Sequence, residues 1–230
     1  MSETAEIHNP PQGDAPIGAN SPSYDSQVLH EMAIALAQII NTKDECTNGH
    51  SLRVAEYTRL LAVELGYDDE TVNRFFYAAL LHDIGKICIP DYILIKDTDL
   101  TESERNEMRE HTLKGYRILK TVESMPELAD AAKYHHERPD GKGYPEGLKG
   151  AQIPRIAQLI AVTDSFDAMY SDRPYHSCMN YNAAITNIRN GAGTQFASDV
   201  VEAFLRLDER GLLRHMFNPD MEGEGAYKRA

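Results

Sequence analysis

The chain has 230 residues, 42% of them hydrophobic, and carries 23 basic against 36 acidic side chains for a net charge of −13. That length and apolar content supply one large core or two small ones, while the negative balance argues against a nucleic acid polymer or an anionic membrane surface as partner. No apolar run approaches a membrane span, no basic-then-apolar leader opens the chain, and three cysteines without a CxxC pair suit a reducing compartment, so a cytoplasmic location is expected.

Residues 1–25 are rich in Pro, Gly, Ser, Asn and Asp and read as a disordered tail. Residues 26–215 read as one domain, and 216–230 as a polar C-terminal tail broken by Asn218-Pro219-Asp220. Within the domain the pattern is helical almost throughout. An apolar run around Ile34, Leu36, Ile39 and Ile40 opens it. Residues 49–65 place His50, Val54, Tyr57, Leu61 and Leu65 on one face, and Gly66 ends that helix. Residues 69–84 align Val72, Phe76, Ala79 and Asp83, with Gly85 as the stop. A connector over 87–100 holds Pro90 and leaves room for a short extended piece. Thr101 with Glu104 forms a capping box that opens a helix to about residue 121, with Met108, His111, Gly115, Ile118 and Val122 inward. Pro126 starts a helix to His136 that aligns Leu128, Ala132 and His135. Residues 137–153 form a glycine- and proline-rich loop. Pro154 opens a long helix with Ala157, Ile160, Asp164 and Ala168 on one face, and two more helices follow near 180–190 and 198–210. The fold class is therefore an all-α bundle.

The polar residues on inner faces carry the chemistry. Any one of His50, His111, His135 or Asp164, taken singly, is more often a satisfied core group or a cap than a ligand. Together, five of the nine histidines (His50, His82, His111, His135, His136) and two acids (Asp83, Asp164) point into one bundle interior. Burying so many ionisable groups without a cation is very unfavourable, and two bound metal ions resolve it. Small residues stand beside them: Gly115 near His111, and Ala157 and Ala168 near Asp164. The donors are imidazole and carboxylate with no obligatory thiolate, which favours iron or manganese first, with other first-row ions open, over a structural zinc. Two such ions are the common arrangement for phosphoester hydrolysis, and Asp83 is the natural bridging carboxylate. His8, His30 and His215 lack this support and read as surface residues.

These motifs resemble the HD phosphohydrolase superfamily, and within it the bacterial HD-GYP domain. The resemblance rests on His50 through Val54, His82 through Pro90 and Met108-Arg109-Glu110-His111. It continues with His135-His136-Glu137-Arg138-Pro139-Asp140-Gly141-Lys142-Gly143-Tyr144-Pro145, Asp164 through Met169, and Arg173-Pro174-Tyr175. It implies a helical bundle with an interior metal centre and hydrolysis of the second messenger cyclic di-GMP to linear pGpG, or on to GMP. It also implies metal positions at His50, His82, Asp83, His111, His135, His136 and Asp164. Lys86 would contact the scissile phosphate, Gly143, Tyr144 and Pro145 would touch the ligand, and Arg173 would bind phosphate or base.

Two positions depart from the family. His176 stands where a basic residue is usual, three after Arg173. Cys46 stands where three-metal members carry a glutamate, and the neighbouring Glu45 would point about 100° away on a helix. The reading is a two-metal cyclic di-GMP phosphodiesterase. A weakly catalytic receptor or protein-interaction module, and a phosphohydrolase of another cyclic dinucleotide, are the alternatives. Signalling protein partners and a homodimer stay open.

Overall fold

The structure, a computed structural model, describes residues 24–43, 49–170 and 179–214. Cys46, Arg173 and His176 lie outside the described residues, as do Glu45, Cys178, His8, His215 and most of both tails. Among the described residues there are nine α-helices and no strand beyond two isolated bridges. They are α1 (Tyr24–Lys43), α2 (His50–Glu64), α3 (Asp69–Leu80), α4 (Asp91–Leu94), α5 (Glu102–Leu119), α6 (Pro126–Tyr134), α7 (Arg155–Tyr170), α8 (Tyr181–Asn190) and α9 (Ser198–Glu209). None is long and apolar enough to cross a membrane.

Local chemistry places the ends of these helices. Asp68 caps α3 by accepting from the Thr71 backbone N–H at 2.7 Å. Thr101 and Glu104 form the expected reciprocal capping box on α5, and Lys96 Nζ adds an ion pair to Glu104 at 2.6 Å. Pro126 occupies the first turn of α6, where its missing N–H leaves nothing unpaired. Gly66 takes a φ of 81° directly after α2, as a helix-ending glycine does.

The core runs between α2, α3, α6 and α7. Tyr57 on α2 meets Phe166 on α7 edge to face at 5.3 Å, and Phe166 meets Phe204 on α9 at 5.1 Å. Thr58 and Thr163 share a fully buried hydroxyl–hydroxyl bond of 2.8 Å, which joins α2 to α7 without an orphaned oxygen. Arg74 on α3 clamps Glu127 on α6, and Glu64 on α2 receives both Arg206 of α9 and Arg210 at its C-cap.

Several stripes differ from the expectation. On α1 the buried residues are Ala33, Ala37 and Ile40, while Leu36 and Ile39 are exposed. On α5 they are His111, Thr112, Gly115 and Leu119, while Ile118 and Val122 are largely exposed. Ala168 on α7 is exposed as well. In each case only part of an apolar run meets the bundle. The connector after residue 87 forms no strand, but Ile89 and Pro90 are extended. Pro90 then caps the short helix α4, with Ile89 and Ile93 buried.

The largest difference lies at residues 81–88. Helix α3 stops at Leu80, not at residue 84, and a 3-10 segment follows over Ile84–Cys88. Leu81 and Asp83 have φ/ψ of −108°/9° and −96°/11°, the bridge region typical of turns and active-site residues. Gly85 does not stop the helix. Its backbone lies against α5, where an added Cβ would overlap the His111 carbonyl oxygen and crowd the Gly115 backbone nitrogen. Gly85→Ala should therefore force this turn off α5. The expected loss is about 1–3 kcal/mol, the usual range for overpacking. Urea unfolding of the variant beside wild type measures it.

Candidate metal centre

Five separate elements deliver their polar side chains to one point. His50 is the first residue of α2, His82 and Asp83 lie in the turn after α3, and His111 sits in the middle of α5. His135 caps the C-terminus of α6, with His136 next, and Asp164 comes from α7. His50, His82, Asp83, His111 and His135 are buried, while His136 and Asp164 are partly open. All seven residues expected from the sequence are thus brought together.

The imidazoles are oriented from behind. Nδ1 of His82 meets the Ala79 carbonyl at 2.6 Å, that of His111 the Met108 carbonyl at 2.7 Å, and that of His135 the Ala131 carbonyl at 2.8 Å. Nδ1 of His50 meets Asp167 Oδ2 at 2.7 Å. A carbonyl only accepts, so Nδ1 of those three histidines carries the proton and Nε2 presents a lone pair inward. His82 Nε2 is buried with no hydrogen-bond partner, and its 3.4 Å approach to Asp83 Oδ2 lacks hydrogen-bond geometry. Leaving such an atom unsatisfied costs on the order of 1–3 kcal/mol, so its position calls for a cation.

Donor atoms within 4.8 Å of one another form three overlapping groups: His50, His82 and Asp164; His111, His135 and His136; and His82, Asp83 and His135. The two oxygens of Asp83 divide between the sides. Oδ2 lies 3.4 Å from His82 Nε2 and 2.8 Å from Lys86 Nζ, whereas Oδ1 lies 3.4 Å from His111 Nε2 and 3.7 Å from His135 Nε2. These residues fit bound metal.

The electrostatics suit the same role. Burial pushes His135 well below its ordinary pKa, helped by the His136 and His82 charges. Burial also brings His136 down to about 4 and lowers His111. Burial opposes charge on His50 too, but hydrogen bonds to Asp164 and Asp167 outweigh it and raise that group to about 9. Desolvation would raise Asp83, yet Lys86 and His82 hold it well below the carboxylate range. Asp164 is likewise held low by His50 against its burial. Anionic carboxylates and neutral imidazoles are the forms that bind metal, so an ion would have to displace the proton from His50 and from His82, whose pKa burial would lower but the neighbouring Asp83 raises.

Beside the cluster, Tyr144 stacks on His136 with ring centroids 4.8 Å apart. Its peptide bond to Pro145 is cis. Gly143 is packed so closely on the His136–Glu137 backbone that any Cβ would collide with it.

Two contributors went unassigned from the sequence. Asp167 is buried, bonds His50 Nδ1 and receives Arg53 Nε and Nη2 at 2.7 and 3.0 Å. Its spacing of three after Asp164, facing the same spacing of Arg53 after His50, was the available signal. Glu137 is buried and accepts from the backbone N–H groups of Glu146, Gly147 and Leu148 at 2.7–3.0 Å, which pins the loop bearing Tyr144. Glycine-rich sequence alone does not reveal that anchor.

A family model described as "HD domain" matches residues 35–200. The chain belongs to the HD domain family. This HD domain is 42% identical over 184 residues to a cyclic di-GMP phosphodiesterase of Thermotoga maritima, covering 79% of this chain and 50% of that protein. It is 36% identical over 162 residues to 3'3'-cGAMP-specific phosphodiesterase 1 of Vibrio cholerae, covering 70% and 38%. The chain thus spans about half the length, or less, of the curated relatives it matches. Among solved structures, a cyclic GMP-AMP-specific phosphodiesterase of V. cholerae aligns with TM-score 0.63 at 18% identity, over 81% of this chain and 50% of that one. The HD domain of a Listeria monocytogenes phosphodiesterase in complex with cyclic-di-AMP aligns with TM-score 0.56 at 21% identity, over 84% and 100%. Both share the HD fold.

Asp167 should act as the support that orients His50. Asp167→Asn is expected to weaken metal binding by roughly 10- to 100-fold, the usual effect of losing such a partner. Competition with a chromophoric chelator reads it, and unchanged affinity would remove Asp167 from the centre.

Proposed function

We propose that residues 26–215 form a metal-dependent phosphodiesterase that opens cyclic di-GMP to linear pGpG. The observation that carries this reading is the buried, unsatisfied His82 Nε2 beside an Asp83 carboxylate whose two oxygens face two imidazole sets. In this reading His50, His82, Asp83 and Asp164 hold one divalent ion, and Asp83, His111, His135 and His136 hold the other. Iron or manganese is the first expectation. Bound there, such ions would supply Lewis acidity toward a phosphoryl oxygen and a more acidic water. Hydrolysis adds water across one ring P–O bond, its hydroxyl going to phosphorus and its proton to the departing ribose oxygen.

The chain's own residues do the rest. In this reading Lys86, which lies beside Asp83, donates to a phosphoryl oxygen as negative charge develops. Gly143, Tyr144 and Pro145 form the loop that touches the ligand, with the Tyr144 hydroxyl as a hydrogen-bonding group for a guanine. Arg173 and His176 are the further contacts proposed for phosphate and base. Cys46, in place of a carboxylate, offers poor support for a third, hard ion, so two metals and a single cut are expected.

Names among the relatives divide between cyclic di-GMP and 3'3'-cGAMP phosphodiesterases, which keeps the mixed dinucleotide as the second substrate to test. Anaerobically purified protein, loaded with Fe²⁺ or Mn²⁺, should convert cyclic di-GMP to pGpG with GMP appearing slowly. Binding without turnover of either dinucleotide would replace the enzyme reading with a receptor. Metal analysis showing three ions per chain, or GMP formed as fast as pGpG, would refute the two-metal assignment.

Lys86→Ala should retain both ions and lower kcat by roughly tenfold to a thousandfold, as expected for removal of a donor aimed at transition-state charge. Steady-state kinetics alongside metal content distinguishes that from collapse of the centre.

A further inference from the structure

The substrate of the proposed reaction carries two phosphodiesters, and the metal centre with Lys86 addresses only one. In a chain of net charge −13, the second needs cations too. Arg173 and His176, proposed above for phosphate and base, lie outside the described residues. Among the described cations beside the centre, Lys86 is already matched by Asp83, and Arg53 by Asp167. Arg109 differs. It lies two residues before His111 on α5, is exposed, and has no carboxylate partner among the described residues. Its guanidinium carbon sits 5.2 Å from the centroid of the Tyr144 ring, the same ring that stacks on His136. It is close enough for its charge to favour ionisation of the Tyr144 hydroxyl, whereas burial and the charges of Asp83 and Asp164 oppose it.

We propose that Arg109 holds the phosphodiester that is not being cut, with the Tyr144 ring as the platform that presents its guanidinium. This assignment rests on the cyclic dinucleotide reading above. A planar guanidinium can give two parallel N–H donors to a phosphodiester while one face stays on an aromatic ring, and a lysine ammonium cannot do both. The phosphate in question does not react, so its contact is the same in ground and transition states. Loss of the contact therefore belongs in KM rather than kcat. Glu137 enters indirectly, because it pins the loop that carries Tyr144 and so fixes where the platform stands.

The test uses the metal-loaded full chain with cyclic di-GMP as substrate. Arg109→Ala should raise KM about tenfold with kcat changed less than about twofold, the pattern of lost uniform binding. Arg109→Lys should recover part of that loss, and raised salt should penalise wild type more than Arg109→Ala. Tyr144→Leu should remove most of the Arg109 effect, so that the double variant is clearly less than additive. Wild-type turnover with an unchanged KM in Arg109→Ala overturns the assignment, as does a parallel loss of kcat and bound metal, which marks a structural role. Fully additive Arg109 and Tyr144 effects overturn the platform. Failure of the wild type to hydrolyse any cyclic dinucleotide is a separate result: it refutes the phosphodiesterase reading, and the assignment of Arg109 falls with it.

Discussion

An imidazole nitrogen buried without a partner is unstable in an ordinary core, and His82 Nε2 is buried in that state. Around it the chain has arranged further donors rather than apolar contacts. Nδ1 of each of four histidines is engaged from behind, three by helical carbonyls and one by Asp167. The bundle thus directs its inward polar atoms in pairs. α2 begins at His50, α6 gives way at the His135 cap, and the backbone turns sharply after Leu80 to set Asp83 between the two sides.

Close backbone approach is what makes the turn possible. Gly85 and Gly115 bring the HD turn onto α5, and Gly143 brings the Tyr144 loop onto the His136–Glu137 backbone. Glu137 then replaces water for three backbone N–H groups of that loop. A buried carboxylate used this way ties the irregular 143–148 segment to the end of α6, so the loop and the clustered histidines His135 and His136 share one support.

Much of this was legible in the residues. Capping chemistry placed α5 and α6 because Thr101, Glu104 and Pro126 act through neighbours in sequence. The polar groups on inner faces identified the seven clustered residues because burial of that many charges has few physical solutions. Periodicity failed where tertiary contact decides. Val72, Phe76, Ala79 and Asp83 keep a helical spacing, yet α3 ends at Leu80, because Gly85 is required on α5 and a continuing helix would carry it elsewhere. Leu36, Ile39, Ile118 and Val122 continue apolar stripes beyond the faces that α1 and α5 bury. Asp167 and Glu137 escaped notice because their partners, His50 and the 146–148 backbone, become neighbours only through the fold.

The carbonyls that orient His82, His111 and His135 each belong to the residue three or four positions earlier in the same helix or turn. Holding a ligand in place and keeping that last turn of backbone wound are therefore one event. Any local opening of the end of α3 or of α6 releases an imidazole, and any ion that grips the imidazole resists the opening in equal measure. Ion occupancy is thereby written into the amide hydrogen-exchange protection of the backbone around residues 79–83 and 131–136. Slow exchange there would report a loaded centre even in a sample whose ions are spectroscopically silent.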